Sequence, residues 1–378
     1  MNTRQKPGFT LGWRLLLIYC TTTKGLSKKP VKVSKHLEKR RCTPLPDQES
    51  LCLGIDVGSV STNLVLIDDH HNIVYKKYLR TQGQPIPVVQ EGLASIEKTY
   101  PKMKIQAVGT TGSGRQLAGA IVGADVVKNE ITAHAVAACC FQPDVQTVIE
   151  IGGQDSKIII LREGVVTDFA MNTVCAAGTG SFLDQQAARL GIPIEDFGEI
   201  ALRSQNTVRI AGRCTVFAES DMIHKQQVGH SMADILAGLC GAMVRNYMNN
   251  VGKGKQIRPP VLFQGGVAAN LGMRKALEEE LNCPVVVPPA FDVMGALGAA
   301  LIAKEQVEYS NQLTRFRGFG VSERSFQVDT FICSHCANHC EIVNISIEQE
   351  LVARWGARCG RWNVKEKNSK YPHSDSAS

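Results

Sequence analysis

Two stretches of the chain repeat one another, and that repeat limits the fold more than any other feature. "LCLGIDVGSVSTNLVLIDDHHNIVYKKY", from Leu51, and "QTVIEIGGQDSKIIILREGVVTDFAMN", from Gln146, align without gaps at an offset of 94 residues. Asp56 falls on Glu150, Gly58 on Gly152, Ser61 on Asp155 and Thr62 on Ser156, and each apolar strand falls on its counterpart. Both read as strand, Gly turn, strand, turn, strand, because β-branched runs are bounded by Gly and by polar clusters. A repeat of this size implies a duplicated unit. Helical patterns lie between and after the repeats ("PVVQEGLASIEKTY", "NEITAHAVAACC", "MADILAGLCGAMVRNYMNNV", "RKALEEEL"). Strands alternating with helices predict an α/β fold. A third Gly turn follows an apolar strand in "PPVLFQGGVAANLGMRKALEEEL", and the small-residue segment "FDVMGALGAALIA" closes the body.

The expected organisation is a basic extension over 1–50, one unit over 51–145, a second over 146–305, a Cys-rich segment over 306–362 and a polar, disordered tail over 363–378. The formal net charge of +7 is carried by the extension, where eleven Lys/Arg face three Asp/Glu. The remainder sums to about −1, so the body lacks the basic excess of a nucleic-acid-binding protein. The run "KKPVKVSKHLEKRR" reads as a solvated basic segment. The apolar run "WRLLLIYC" is too short to span a bilayer and lacks a clear signal-peptide cleavage site, so no membrane partner is expected. Hydrophobic content of 44% and charged content of 20% suit a soluble globular protein. Thirteen cysteines, an odd number in 378 residues, argue against a secreted disulfide framework and for a reducing, cytoplasmic location. Cys52, Cys139, Cys140 and Cys240 lie in apolar runs and read as small buried core residues.

A Gly-rich turn between strands lets backbone N–H groups approach phosphate oxygens unobstructed. Ser61 and Thr62 add hydroxyl donors. Asp56 and Asp155 are carboxylates beside such turns, placed to hold Mg²⁺ against phosphate. The chain contains neither G-x-x-x-x-G-K-[ST] nor a G-x-G-x-x-G opening a helix after its first strand. An isolated "DVGS" is what many hairpin turns offer; two matched turns at one offset, with "FQGGVAAN" as a third, are more specific. The three segments resemble the phosphate-1, phosphate-2 and adenosine motifs of the superfamily of acetate and sugar kinases, heat-shock chaperones and actin. The resemblance implies duplicated ribonuclease-H-like domains, the actin-like ATPase fold, clamping ATP or ADP with Mg²⁺ in a central cleft. It places Asp56, Gly58, Ser59, Val60, Ser61, Thr62 and Asn63 along the first phosphate loop. It places Gly152, Gly153, Gln154 and Asp155 along the second, and Gly265, Gly266 and Ala269 near the adenosine. Asp56, Gln154 and Asp155 are then the catalytic set.

Cys175 and Cys214 each precede a helical pattern, in "NTVCAAGTGSFLDQQAARL" and "AGRCTVFAESDMIHKQ". The N-terminal N–H groups and dipole of a helix stabilise a thiolate. On spacing alone two readings stand: two unrelated free thiols, or half of an iron–sulfur site. A 4Fe–4S cluster takes four protein ligands; one chain offers two, and a two-fold dimer would present four at its axis. The surrounding words resemble the activator component of 2-hydroxyacyl-CoA dehydratases and the related ATPase subunits of benzoyl-CoA reductase. The likeness runs over roughly 51–305, through "GIDVGS", "IGGQDSK", "CAAGTGSFLD", "CTVFAESDMI", "GGVAAN" and "GALGAAL". It implies a homodimer with one bridging 4Fe–4S cluster, held by Cys175 and Cys214 of both subunits. It also implies ATP hydrolysis coupled to transfer of one low-potential electron, taken from a ferredoxin or flavodoxin, to a partner dehydratase, where a ketyl radical forms. Two other functions fit the superfamily: a small-molecule kinase, for which no clear sugar-binding motif is visible, and a non-catalytic nucleotide-binding regulator.

The chain departs from that family in places. Asn63 stands where members often carry lysine, which weakens a phosphate contact. Lys157 reads either as a phosphate ligand or as a solvated lysine, and His134, His224 and His230 read as core or surface histidines. Compact activators end near the counterpart of Lys304, whereas this chain continues into "FICSHCANHCEI" and "WGARCGRW". Cys333, Cys336, Cys340 and Cys359 follow C-x2-C-x3-C-x18-C, a spacing open to a cluster, zinc or spare thiols. The segment resembles the junction of long activase-related proteins, as in a truncated member.

Overall fold

The computed structural model describes residues 50–362, apart from 102 and 173. The basic run, "WRLLLIYC" and the polar tail therefore lie outside the described residues.

The first repeat forms β1 (Ser50–Val57), β2 (Ser61–Ile67) and β3 (Ile73–Arg80), followed by α1 (Pro85–Thr99), β4 (Lys104–Thr111), α2 (Arg115–Val122), β5 (Val126–Val127) and α3 (Glu130–Phe141). The second forms β6 (Thr147–Ile151), β7 (Ser156–Arg162) and β8 (Val165–Asn172). It continues through α4 (Gly180–Leu190), α5 (Ile194–Leu202), α6 (Thr215–Gln227), α7 (Met232–Tyr247), β9 (Val261–Gln264), α8 (Leu271–Leu281), β10 (Val285–Val286) and α9 (Met294–Ser310). The two sheets have matching orders, β3-β2-β1-β4-β5 and β8-β7-β6-β9-β10. Each is an antiparallel meander extended by two parallel strands. The registers also coincide: Asp56 faces Asn63 on β1–β2, and Glu150 faces Lys157 on β6–β7. The central strands are buried along nearly their whole length, as strands covered on both faces must be.

The helices cross between repeats. Helix α3 packs Ile131, Ala135, Ala138 and Cys139 against Val148, Ile159, Leu161 and Leu262 of the second sheet. Helix α9 packs Ala296, Ala300 and Ala303 against Cys52, Val65 and Ala107 of the first. Glycines permit the close approach: a Cβ on Gly54 would strike the Ala296 carbonyl, and one on Gly298 the Ala133 carbonyl of α3. Cys52, Cys139 and Cys240 are buried as expected, whereas Cys140 is exposed. Successive residues of a helix point about 100° apart, so with Cys139 on the second sheet its neighbour turns outward.

Beyond α9, Phe316, Phe319 and Val321 join the core of the first unit. The Gln90 amide of α1 donates to the carbonyls of Val321 and Arg324 at 3.2 and 2.8 Å. A third, antiparallel sheet follows, built from β11 (Phe326–Ile332), β12 (Glu341–Ile347) and β13 (Glu350–Trp355). No helix of the described residues is long and apolar enough to cross a membrane.

The α3–α9 contact is tested by Gly298→Ala, which places a methyl against backbone that cannot yield cheaply. It should lower unfolding stability by about 1–3 kcal/mol in denaturant titration. Gly266→Ala, where an added Cβ meets nothing within 4 Å, should leave the midpoint unchanged. Equal midpoints for both variants would contradict the close crossing.

Candidate functional site

Three turns converge on one cleft of about 160 Å³. The turn between β1 and β2 closes when Gly58 N–H donates to the Ser61 carbonyl at 2.8 Å, and that between β6 and β7 when Gly152 N–H donates to the Asp155 carbonyl at 3.0 Å. The duplicated sequence thus gives a duplicated turn. After β9, Gly265 takes φ 89°, a conformation open to glycine at little cost, and its N–H donates to the Phe291 carbonyl at 2.9 Å. The first two turns touch, since a Cβ on Gly153 would fall 2.8 Å from a Val60 methyl.

Of the residues assigned to the three loops from sequence, all but Thr62 and Ala269 line this cleft, Asp56, Gln154 and Asp155 included. Side chains alternate along a strand, so with Ser61 and Asn63 facing the cleft Thr62 faces away. Its hydroxyl pairs with that of Thr81 at 3.0 Å in the interior. Ala269 ends the 3-10 turn Gly266–Ala269, outside the lining. Glu130 and His134, from α3, line the cleft as well. Their signal in the sequence was weak, because α3 reads as a helix with apolar residues all round.

Lys157 is neither a solvated lysine nor free for phosphate. It is 2% exposed, and its Nζ lies 2.8 Å from Glu130, 2.9 Å from Glu150 and 2.9 Å from Asp155. Burial alone would depress this ammonium, but the three carboxylates outweigh it and hold the group well above the usual lysine range. Burial, reinforced by the charge of Glu130, pushes Asp56 up to about 7 against the pull of Lys157. Burial likewise pushes Glu150 up to about 7. His134 is pushed down to about 3 by burial and by Lys157, so its ring is neutral at pH 7; its Nδ1 lies 2.8 Å from the Gln264 amide nitrogen. Five carboxylates line the cleft beside one ammonium; Asp292 is paired with Lys76 at 2.9 Å, and the other four leave the cleft short of positive charge. Hard oxygen donors in excess suit Mg²⁺, and Asp56 and Asp155 are the pair that would hold it beside the two turns.

The two thiols sit on loops tied to the second turn. Asn172 ends β8 opposite Ser156; its Oδ1 accepts the Cys175 N–H at 3.0 Å and its Nδ2 donates to the Cys175 carbonyl at 2.8 Å. After one 3-10 turn, Ala176–Gly178, α4 begins, and there Gly180 and Ser181 donate their N–H groups to the carbonyls of Gly152 and Gly153, both at 2.8 Å. Cys214 caps α6. Its loop is held by Asn246 of α7, which donates to the Gly212 carbonyl at 2.7 Å, while the hydroxyl of the next residue, Tyr247, donates to the Lys157 carbonyl at 2.8 Å. Both thiols are half-buried. Beside them stand three exposed apolar side chains: Val174 at 94%, Val216 at 65% and Phe217 at 67%. Among the described residues, no three His, Cys, Asp or Glu side chains gather as a metal set. His224 and His230 are exposed.

The model of the BadF/BadG/BcrA/BcrD ATPase family matches residues 53–303. The chain is 39% identical over 258 residues to the (R)-2-hydroxyglutaryl-CoA dehydratase activating ATPase of Acidaminococcus fermentans, covering 66% of this chain and 96% of that one. It is 34% identical over 258 residues to the activator of lactoyl-CoA dehydratase of Anaerotignum propionicum, covering 68% and 98%. The solved structure of the activator of the 2-hydroxyisocaproyl-CoA dehydratase from Clostridium difficile, with bound ADPNP, superimposes with a TM-score of 0.62 at 32% identity, over 69% of this chain and 97% of that one.

The cleft acids predict a pH dependence. Asp56 and Glu150 rise from 3.8 and 4.5 to about 7 on folding. A raised acid favours the folded state while protonated, so this contribution is complete below about pH 4 and is lost as pH climbs through 7. Nucleotide-free protein should therefore melt at lower temperature as pH rises from about 5 to about 8. Asp56→Asn should flatten that slope. The same slope in both proteins would mean that Asp56 is not a charge-frustrated group.

Proposed function

The chain belongs to the BadF/BadG/BcrA/BcrD ATPase family and is an ATP-hydrolysing enzyme, and on that premise we propose that it activates a 2-hydroxyacyl-CoA dehydratase-type partner. ATP hydrolysis is coupled to delivery of one low-potential electron, which a ferredoxin or flavodoxin supplies to a cytoplasmic homodimer. The observation that carries this reading is the hydrogen-bonded path from the second turn to Cys175, through the Gly152 and Gly153 carbonyls and the start of α4.

In the cleft, backbone N–H groups of the two Gly turns bind the phosphates. Asp56 and Asp155 would hold Mg²⁺, whose charge would offset that of the phosphates. Gln154, on the second turn, orients the attacking water. Gly265 and Gly266 leave room for the adenosine. Cys175 and Cys214 of two subunits would hold the 4Fe–4S cluster, whose chemistry is to give and take single electrons at low potential. The chain's own features suit it. Ala176, Ala177 and Gly178 let backbone N–H groups come close to sulfur. The helix N-termini stabilise negative charge. Val174, Val216 and Phe217 form an apolar rim that a second copy would cover.

Coupling requires that nucleotide bind two arrangements of the protein with different affinity. Phosphate contacts at Gly152 and Gly153 bear on the same peptides that anchor α4, so a change at the γ-phosphate alters the support of Cys175.

Anaerobically purified protein should be a dimer with about two irons per chain, half of a four-iron cluster. Cys214→Ser should lose the iron and acid-labile sulfide while nucleotide affinity stays within a few-fold. Full iron content in that variant would refute the assignment, and joint loss of iron and nucleotide would refute the separation of the sites.

A further inference from the structure

The third sheet is a small unit with a thin interior. Its buried apolar side chains are Ile342, Ile345 and Ile347, together with Cys333. Units of about 40 residues or fewer rarely hold themselves together without a disulfide, a metal or a partner surface. All four C-terminal cysteines lie at one end of this sheet, although 18 residues separate the last from the others.

The hairpin places the first three. Ile332 faces Glu341 on β11–β12. The next rung sets Cys333 against Cys340, with the Cys333 N–H donating to the Cys340 carbonyl at 2.8 Å. Partners on such a rung stand about 5.5 Å apart at Cα and present their side chains to the same face. Within the loop, His339 N–H donates to the Cys336 carbonyl at 3.2 Å, with His339 at φ 41°; this turn folds Cys336 back toward Cys340.

The fourth is brought in from β13. Gly356 lies so close to the Glu341 carbonyl that no Cβ fits there. Trp362 returns to the hairpin: its ring packs edge-on to Phe331 at 5.1 Å and lies 6.0 Å from His335. Between these anchors, Gly360 N–H donates to the Ala357 carbonyl at 3.2 Å, and Cys359 sits in that turn.

A second observation concerns the sulfur of Cys333. It accepts the Trp362 indole N–H at 3.2 Å. A thiol is a weak acceptor, and an indole N–H aimed at a buried sulfur is the kind of outer-shell donor that a metal-bound thiolate takes.

We infer that Cys333, Cys336, Cys340 and Cys359 form a tetrathiolate site for a single Zn²⁺ ion, separate from Cys175 and Cys214, which fastens the third sheet. Tetrahedral Zn–S bonds of about 2.3 Å draw sulfurs to within about 3.8 Å of each other, a distance that a cross-strand pair meets. An iron–sulfur cube instead spreads its thiolates over separate irons. The described residues do not already gather three ligands around one point. Cys336 and Cys359 are exposed, so drawing their side chains inward on binding breaks no core packing.

The test uses the full chain carrying Cys175→Ser and Cys214→Ser, which keeps the other thiol pair out of the measurement. Purified anaerobically from zinc-supplemented cells, it should hold about one zinc per chain and no iron. Exchange with Co²⁺ should give the visible thiolate–cobalt bands of a tetrahedral site. Cys336→Ser and Cys359→Ser should each weaken zinc binding more than about tenfold, whereas Cys140→Ser, an exposed thiol on α3, should not. Trp362→Phe, which keeps the ring and removes the donor, should weaken zinc without abolishing it. Zinc-free protein, zinc retained in both serine variants, iron with sulfide, or a Cys333–Cys340 disulfide would each overturn the assignment.

Discussion

The buried ammonium of Lys157 is the charge on which the cleft depends. Taking a charge out of water costs several kcal/mol unless partners replace the solvent, and here they come from three segments: Glu130 on α3, Glu150 on β6 and Asp155 in the second turn. Without the ammonium, those three acids and Asp56 would share one small space with no cation. The main chain of the same residue accepts the Tyr247 hydroxyl, and the adjacent Asn246 holds the loop before Cys214. One residue therefore sets the acid geometry of the cleft through its side chain and the seat of α7 through its carbonyl.

The connection from cleft to Cys175 is made of backbone, which explains why its residues are small. A Cβ on Gly180 would lie 3.0 Å from the Gly152 carbonyl, and one on Gly153 would press into Val60. Larger side chains at either place would hold the first turn, the second turn and α4 apart. With glycine the three stack directly, and displacement of the second turn carries α4 through two hydrogen bonds rather than through compliant side chains. The Cys214 loop is reached by a separate route, through α7, so the two thiols share an origin at β6–β7 but not a path.

Much of this was legible in the sequence, for a physical reason. A gapless repeat preserves strand register, because a slip of one residue would turn every core side chain outward. The offset that aligned Asp56 with Glu150 therefore also fixed which residues face each other across both ladders. The same period-2 rule, applied one step further, would have put Thr62 on the far side from Ser61 and Asn63. What could not be read was the exchange of α3 and α9 between sheets. Both are small-residue helices without a marked apolar face, so neither announces its partner, and the cleft roles of Glu130 and His134 follow only from where α3 lands. The ion-paired state of Lys157 depends on Glu130 and was hidden for the same reason.

The two turns have diverged in charge while keeping their geometry. At the shared offset Asn63 replaces Lys157 and Asp56 replaces Glu150. The first half thus carries an acid with no cation of its own. Asn63 is 7% exposed, and its Oδ1 has no hydrogen-bond partner among the described residues. The cation that acts on Asp56 is Lys157, from the second half. Separating the halves would leave Asp56 without even that compensation and would take both Asp56 and Glu130 from the Lys157 cluster, leaving it Glu150 and Asp155. Because each half is electrostatically incomplete in a different way, the charge pattern that suits a metal–phosphate ligand exists only when both halves face one cleft. An asymmetric repeat therefore completes this charge pattern only where both turns line one cleft, which two identical, self-balanced turns would not require.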